Sequence, residues 1–584
     1  MWYSINTSTQ RTEVAKRRVR AAILLLGLAV GLFWATGAGH AQEAGPLTAA
    51  EGPTITGVIV DSQGRPVAGA TVALVLEDHA DALAETESQP SGAFILYVPE
   101  EALATDRLSV LIERPHFTSV LYQLSSDDVQ ALVTNHTLTL STTMLKRRIT
   151  AAFWIATLAF AGMLALIALE VLHNTLAALV GVAIVFLTSY LGGAVSDDLF
   201  IFNFERAMVY IDWEVIFLVM GMMIVIAVVE GTGIFQWLAY FAYRVSRGKS
   251  WLLVAILMLI TALASAFLDN VTTMLLMTPI TIQIALSLEM NPLPLLMPEV
   301  MASNVGGIAT LIGTPTNILI GSFAGISFTS FIVNLTPGVL MAMVALIIYV
   351  EVVYFRAYRE AAAVTSPGLE RLLRERSQIT APDDLRKAGW VGLGMLILFL
   401  LGERIHLVPA VTALLGATAL LVWIRPDVEH MIEAVDWTTL VFFMGLFVMV
   451  GAIQEVGLIA WIADLVAHIV GTNLTLAMIL IIWMSAFMSM MVDNIPFAAA
   501  MLPVVGFLTS QIPGAENRML FFALSVGAAM GGNGTLIGSS PNLVAAGIAE
   551  RAGYPITYGT FLKYGLPATI VTVAVGTLWL LIRF

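Results

Sequence analysis

From about residue 150 onward the chain is a succession of apolar stretches, at 150–170, 174–192, 213–230 and 330–355, then 388–404, 408–424, 437–453 and a last one ending at Phe584. Each is about the length an α-helix needs to cross a bilayer. Two amphipathic pieces, 234–250 and one ending near 471, are too polar at their ends to span. Apolar arms at 251–268 and 271–288 meet at Asp269-Asn270 with no loop between them, and the same arrangement returns at Asp493-Asn494. Two full spans need several residues to turn round outside the bilayer, so this pattern predicts a re-entrant hairpin with its tip buried in protein; two spans joined by a tight polar turn is the other reading. Apolar stretches at 296–325 and up to about 548 are interrupted at Gly313-Thr314-Pro315-Thr316-Asn317 and at Gly538-Ser539-Ser540-Pro541-Asn542. Proline removes an amide and glycine frees the backbone, which predicts two broken helices.

The order of these features is duplicated. Asp212 and Asp436, Gly233 and Gly457, Asp269 and Asp493, and Pro279 and Pro503 all differ by 224, and Gly313 and Gly538 by 225. One unit of five spans plus one re-entrant hairpin is therefore expected at 150–355 and again at 388–584. Halves with interrupted apolar segments at matching positions point to a secondary transporter with its site at the repeat interface.

The first 150 residues differ. Basic residues up to Arg20 precede the apolar run AAILLLGLAVGLFWA and small residues near 41, the pattern of a signal peptide or an uncleaved signal anchor over 1–41. At 53–145 strand-length runs (ITGVIV, ATVALVL, GAFILYV, RLSVLI, HTLTLST) alternate with turn formers such as DSQGRP and ESQPSG, which predicts a small extracytoplasmic all-β sandwich. The segment 356–387 carries 7 Arg or Lys and reads as a cytoplasmic linker. An outside sandwich followed by five spans brings the linker inside, and five more leave the C-terminus outside. An odd number of spans per unit makes the repeat an inverted one; Lys146-Arg147-Arg148, placed outside, runs against the charge rule.

Composition fits a polytopic α-helical membrane protein: 58% of 584 residues are hydrophobic and 12% charged. Residues 42–145 hold 14 acidic and 3 basic residues, so most of the net charge of −13 belongs to the outer domain and says nothing about cargo. There is no cysteine, which excludes disulfides and thiolate metal sites, and no basic nucleic-acid footprint. No nucleophile and base pair suggests an enzyme, and no cofactor is implied.

The chemistry is expected where the hairpin tips and breaks converge. Broken helices expose N–H and C=O dipoles in mid-membrane. Asp269 and Asp493 add carboxylates with no Lys or Arg in either motif, and such a group binds a cation or takes up a proton. Asn270, Thr272, Thr273, Thr314, Thr316, Asn317, Asn494, Asn533, Thr535, Ser539, Ser540 and Asn542 supply neutral polar groups, with Gly313, Pro315 and Gly538 shaping the breaks. A Na⁺ ion is expected to draw on Asp269, Asn270, Thr314 and Asn317 and on Asp493, Asn494, Ser539 and Asn542. Glu230, Glu351 and Glu403, near span ends, read as interfacial.

The strings DNVTTMLLMTPITI, SNVGGIATLIGTPTN, DNIPFAAAMLP and GGNGTLIGSSPNLVAAGIAERAGY resemble the ion transporter superfamily, with its citrate-transporter-like domain, in the branch holding arsenite permeases, NhaD-type sodium/proton antiporters and the melanosomal P protein. GVIVDSQGRPVAGATVALV and SGAFILYV resemble carboxypeptidase-regulatory-like, transthyretin-like domains. The first resemblance implies an inner-membrane secondary transporter of a small inorganic ion, coupled to Na⁺ or H⁺, with a homodimeric assembly in the lipid bilayer. Members that carry dicarboxylates with sodium have Ser-Asn-Thr at both tips, where this chain has Asp-Asn-Val and Asp-Asn-Ile. A sodium- or proton-coupled carrier of dicarboxylate or chloride is the alternative. A membrane sensor with an outer ligand-binding domain is a reading of another class.

Overall fold

The computed structural model describes residues 52–584 apart from 62–63, 77–78, 100–101, 104–107, 170, 248, 361–378 and 472. The signal segment at 1–41 and most of the expected linker lie outside the described residues. The chain divides into two compact units between Arg147 and Arg148.

The first unit is built from β1 (Thr54–Asp61), β2 (Thr71–Leu76), β3 (His79–Glu87), β4 (Ala93–Tyr97), β5 (Leu108–Glu113), β6 (Val120–Gln123), β7 (Thr137–Thr139) and β8 (Thr143–Leu145). In one sheet β1 pairs antiparallel with β4 and parallel with β7 and β8; the other runs β3-β2-β5-β6. Alternation puts Ile55, Ile59, Phe94 and Leu96 of the first sheet in one core with Val72, Leu74, Val110 and Ile112 of the second. Strand β3, absent from the sequence reading, spells HADALAETE; its acids suit a sheet edge, and that is where it lies. A helix also interrupts the all-β pattern: α1 (Ser126–Asn135) opens with a capping box in which Ser125 and Asp128 satisfy each other's amides.

The second unit is helical. Its first half comprises α2 (Ala151–Ala168), α3 (Asn174–Leu187), α4 (Trp213–Glu230), α5 (Ile234–Ser246), α6 (Ser250–Ser265), α7 (Asn270–Ser287), α8 (Leu293–Gly307), α9 (Pro315–Ala324) and α10 (Phe328–Val353). Its second comprises α11 (Pro382–Ile405), α12 (Pro409–Ile424), α13 (Trp437–Glu455), α14 (Leu458–Val470), α15 (Leu474–Ser489), α16 (Asn494–Gln511), α17 (Met519–Gly531), α18 (Ser540–Arg551) and α19 (Tyr558–Arg583). Helix α11 starts at Pro382, proline at a first turn being pre-set for a helix, so the linker ends earlier than its expected boundary at 387.

Among the described residues seven helices are long and apolar enough to cross a membrane: α2, α3 with its π-helical extension, α4, α10, α11, α13 and α19. The expected broken spans are absent from that set because each is two limbs, α8 and α9 of 15 and 10 residues, α17 and α18 of 13 and 12. The main helix pairings recur in the two halves. Helix α6 packs on α8 as α15 does on α17, while α3 packs on α13 as α12 does on α4. The hairpins are also exchanged, α7 lying against α18 and α16 against α9. The closest approach recurs too: Gly306 faces Ala262 and Gly531 faces Ala486 so tightly that no Cβ fits.

Candidate functional site

The hairpin tips are the turns at 266–269 and 490–493. Asp269 caps α7, its Oδ2 accepting from the amides of Val271 (3.1 Å) and Thr272 (3.3 Å); Asp493 caps α16, accepting from Ile495 at 3.3 Å. On each side two side chains hold the tip to its broken helix and a third holds the break itself, and they match across the repeat. Ser265 and Ser489 donate to the carbonyls of Ser303 and Ala528 at 2.9 and 2.6 Å. Thr310 donates to Ala266 and Thr535 to Met490. Asn317 donates to the carbonyls of Gly307, Ile308 and Thr310, and Asn542 to those of Gly532 and Thr535. These asparagines staple the breaks through their amide nitrogens, and their amide oxygens are engaged as acceptors as well. Gly538 is required because a Cβ there would lie 2.8 Å from the Ser489 carbonyl and 2.9 Å from that of Gly532; Gly313 is crowded by the matching carbonyls.

Between the two breaks a buried amide network crosses the repeats. Its hub is Asn304, which donates to Asn533 at 2.8 Å and Asn542 at 3.0 Å and accepts from Ser539 at 3.1 Å and Asn270 at 3.3 Å. Asn304 escaped the sequence reading because its counterpart at the offset of 225 is Ala529, so repetition does not mark it. Asn317 meets the second half separately, accepting from Ser525 at 2.6 Å. Thr314 caps α9 by accepting from the Asn317 amide at 3.1 Å. Thr273 and Thr316 are buried with hydroxyls that have no hydrogen-bond partner among the described residues, and Asn494 is buried at the start of α16.

Asp269, Thr272, Pro315, Asp493 and Ser540 open instead onto a cavity of about 490 Å³. Its wall adds Glu230 and Asp436, so four carboxylates share one space whose lining contains His173 but no Lys or Arg. Glu230, the exposed last residue of α4, lies on the wall of this cavity. Asp436 caps α13 through Thr439, whose amide lies 3.1 Å and hydroxyl 2.5 Å from its carboxylate, and it also accepts from the Thr438 hydroxyl. No group of three or more His, Cys, Asp or Glu side chains able to hold a metal ion occurs among the described residues.

The two breaks differ at their three middle positions, and one of these differences reaches a hairpin tip. Ser540 donates its hydroxyl to Asp493, whereas the residue at its repeat position is Pro315, which has no hydroxyl for Asp269. A second cavity, of about 280 Å³, is lined by Asp212, Phe447, Val450, Gln454 and Ala499 among others. Those are the repeat counterparts of Asp436, Met223, Ile226, Glu230 and Leu275 in the larger cavity, each at an offset of 224.

Apolar helices in a repeated pattern, two interrupted spans and a polar cavity at their junction define a multi-pass membrane transporter. Comparison with known proteins agrees: the chain belongs to the CitMHS family, described as citrate transporter, which it matches over residues 164–516. It is 38% identical over 423 residues to the 46 kDa membrane protein of Mycobacterium leprae, covering 72% of this chain and 96% of that one. To an uncharacterized transporter of Mycobacterium tuberculosis it is 37% identical, covering 74% of this chain and 98% of the relative. The human P protein is 34% identical over 505 residues, covering 73% of this chain and 59% of that protein. Among solved structures, that of the Alcanivorax borkumensis YdaH transporter aligns with a TM-score of 0.47 at 18% identity, over 62% of this chain and 84% of that one. The kinship read from the tip and break motifs is borne out.

Proposed function

We propose that the protein is an ion-coupled secondary carrier that binds a cation or proton at Asp269 and Asp493. The supporting observation is the four-carboxylate cavity with no basic residue in its wall. Unpaired charge of one sign in a confined space repels anions and concentrates cations. The two hairpins and breaks then act as paired half-sites of an inverted repeat, and the large and small cavities as its two alternately opened approaches. In this reading the membrane is the inner membrane, the linker is cytoplasmic, and the chain assembles as a homodimer.

An anion carrier, of citrate or another carboxylate, is the second reading. It is favoured by the family description and by the N-terminal turns of α7, α9, α16 and α18 that line the cavity, where exposed amides suit negative charge. Asp269 and Asp493 already cap two of those termini, which is why the cation reading stands first.

The test is transport in proteoliposomes under imposed Na⁺ or H⁺ gradients, screening sodium, lithium, arsenite, chloride, dicarboxylates and citrate. Gradient-dependent transport lost in Asp269→Asn and Asp493→Asn, in protein that still inserts, supports the cation reading. Full coupling in the double variant would move the anion reading ahead.

A further inference from the structure

One fully buried carboxylate in the membrane unit lines neither of these cavities. Glu299, on α8, is fully buried, the one glutamate among the described residues in that class. Its Oε1 accepts from the Thr261 hydroxyl of α6 at 2.9 Å. Thr281 of α7 lies beside the same carboxyl. Oε2 of Glu299 and the hydroxyl of Thr281 are each buried without a hydrogen-bond partner. The group thus sits where the two hairpin arms meet the first limb of the broken helix.

Charged groups do not explain its presence. Of the helices packed against α8, α6, α7 and α17 carry no titratable side chain. The others carry Tyr349 and Glu351 on α10, Glu550 and Arg551 on α18, and Tyr558, Lys563, Tyr564 and Arg583 on α19, while the polar side chains beside the Glu299 carboxyl are those of Thr261 and Thr281. An isolated carboxylate in such surroundings lacks any compensating charge. Packing does not explain it either. At the repeat offsets the second half places Leu524, Ser485 and Val505 where the first has Glu299, Thr261 and Thr281, and all three are buried. The same junction is built there with leucine and valine.

We propose that Glu299, with the hydroxyls of Thr261 and Thr281, is a proton-binding site of the first repeat, separate from the cavity and loaded and emptied once per transport cycle. One carboxyl and two hydroxyls are fewer oxygens than a hard metal cation collects, which favours the proton. The proton rests on the carboxyl in the closed arrangement seen here and leaves to water when the hairpin arms and α8 part. Pro279 in α7 and Pro298 in α8 each interrupt the helix hydrogen bonding close to the site. The carbonyl of Pro294, which proline at 298 leaves without its helical partner, accepts from the Tyr358 hydroxyl at 2.6 Å instead.

The inference rests on the ion-driven cycle proposed above, so two readouts are needed. The first needs no substrate: infrared difference spectra of the full-length protein in liposomes across a pH jump. The expected result is a dehydrated carboxylic-acid band that disappears at high pH, is absent from Glu299→Gln, shifts in Thr261→Val and persists in Asp269→Asn. If Glu299→Gln does not assemble, isotope-labelled glutamate must shift the wild-type band while labelled aspartate does not. A spectrum unchanged by Glu299→Gln or by the glutamate label, or a band that never responds to pH, overturns the proposal. The second readout is radioactive sodium uptake against an imposed pH gradient. Loss of one coupled proton lowers steady-state accumulation about tenfold per pH unit of gradient. Gradient-driven uptake equal in wild type and Glu299→Gln overturns this site alone. No gradient-driven uptake by wild type of any ion in the screen above overturns the carrier reading, and the infrared result then decides the site by itself.

Discussion

The two repeat-related cavities differ in size and in charge. The larger holds Glu230, Asp269, Asp436 and Asp493; the smaller holds Asp212 alone, with Gln454 in the place of Glu230. Beside the smaller cavity Glu455 accepts from Arg206 at 2.8 Å and from the Tyr210 hydroxyl at 2.7 Å. At the offset of 224 the other side has His430, Ala434 and Gly231, which cannot make that cluster. Nearly identical helix packing thus encloses two unlike spaces, one wide and acidic, the other narrow and pinned by an ion pair. Duplication supplied the frame, and a few unmatched side chains bias it toward one arrangement.

The comparison can be broken most forcefully at its acidic side. Replacing Asp269 and Asp493 together by Asn removes the charges while keeping shape, and ion affinity should fall by about 10²–10³-fold, the scale of deleting one partner of a buried ion pair. Isothermal titration with sodium and with lithium checks this. Ser540→Ala should act next, because it takes from Asp493 a hydrogen bond that Asp269 lacks. A lost bond to a charged group is worth about 1.5–3 kcal/mol, so the variant should weaken binding roughly tenfold to a hundredfold and make the two tips more alike. Thr314→Ala, which uncaps α9 but leaves Asp269 its amide donors, should weaken binding less than Ser540→Ala does.

Breaking the pinned side should have a smaller effect. Glu455→Gln removes a partly exposed ion pair worth about 1 kcal/mol at most, so a cysteine introduced at Gln454 should label a few times faster, read by maleimide kinetics. Cysteines at the repeat mates Glu230 and Gln454, each at the end of its own span, should also react from opposite faces of the membrane if the repeat is inverted. Labelling of both from one face would refute that topology. The smallest change is expected for Glu230→Gln, whose carboxylate has no repeat counterpart; it should lower the apparent cation affinity severalfold and leave coupling intact.

Much of the site was legible along the chain because its signals are local. Asp269 and Asp493 stand in apolar surroundings at one offset, and each caps the helix that follows it, an interaction made within three residues. The prolines and glycines of the breaks likewise act on their own backbone. Strand β3 and helix α1 were missed for local reasons as well, the one for its acids and the other for its short length, although Ser125 and Asp128 spell its cap.

What the tertiary structure alone decided are the groups whose partners are far away in sequence. Asn304 matters because Asn533 and Asn542, 229 and 238 residues later, fold against it. Glu230 and Asp436 face one cavity with the hairpin tips only after the halves interlock. Glu299 lies between two hairpin arms, Thr261 being 38 residues before it. Sequence determines which residues are costly to bury, since that cost is a property of the side chain. Which costly residues share a space depends on how two copies of one unit close on each other, and that is fixed by packing between residues some two hundred positions apart.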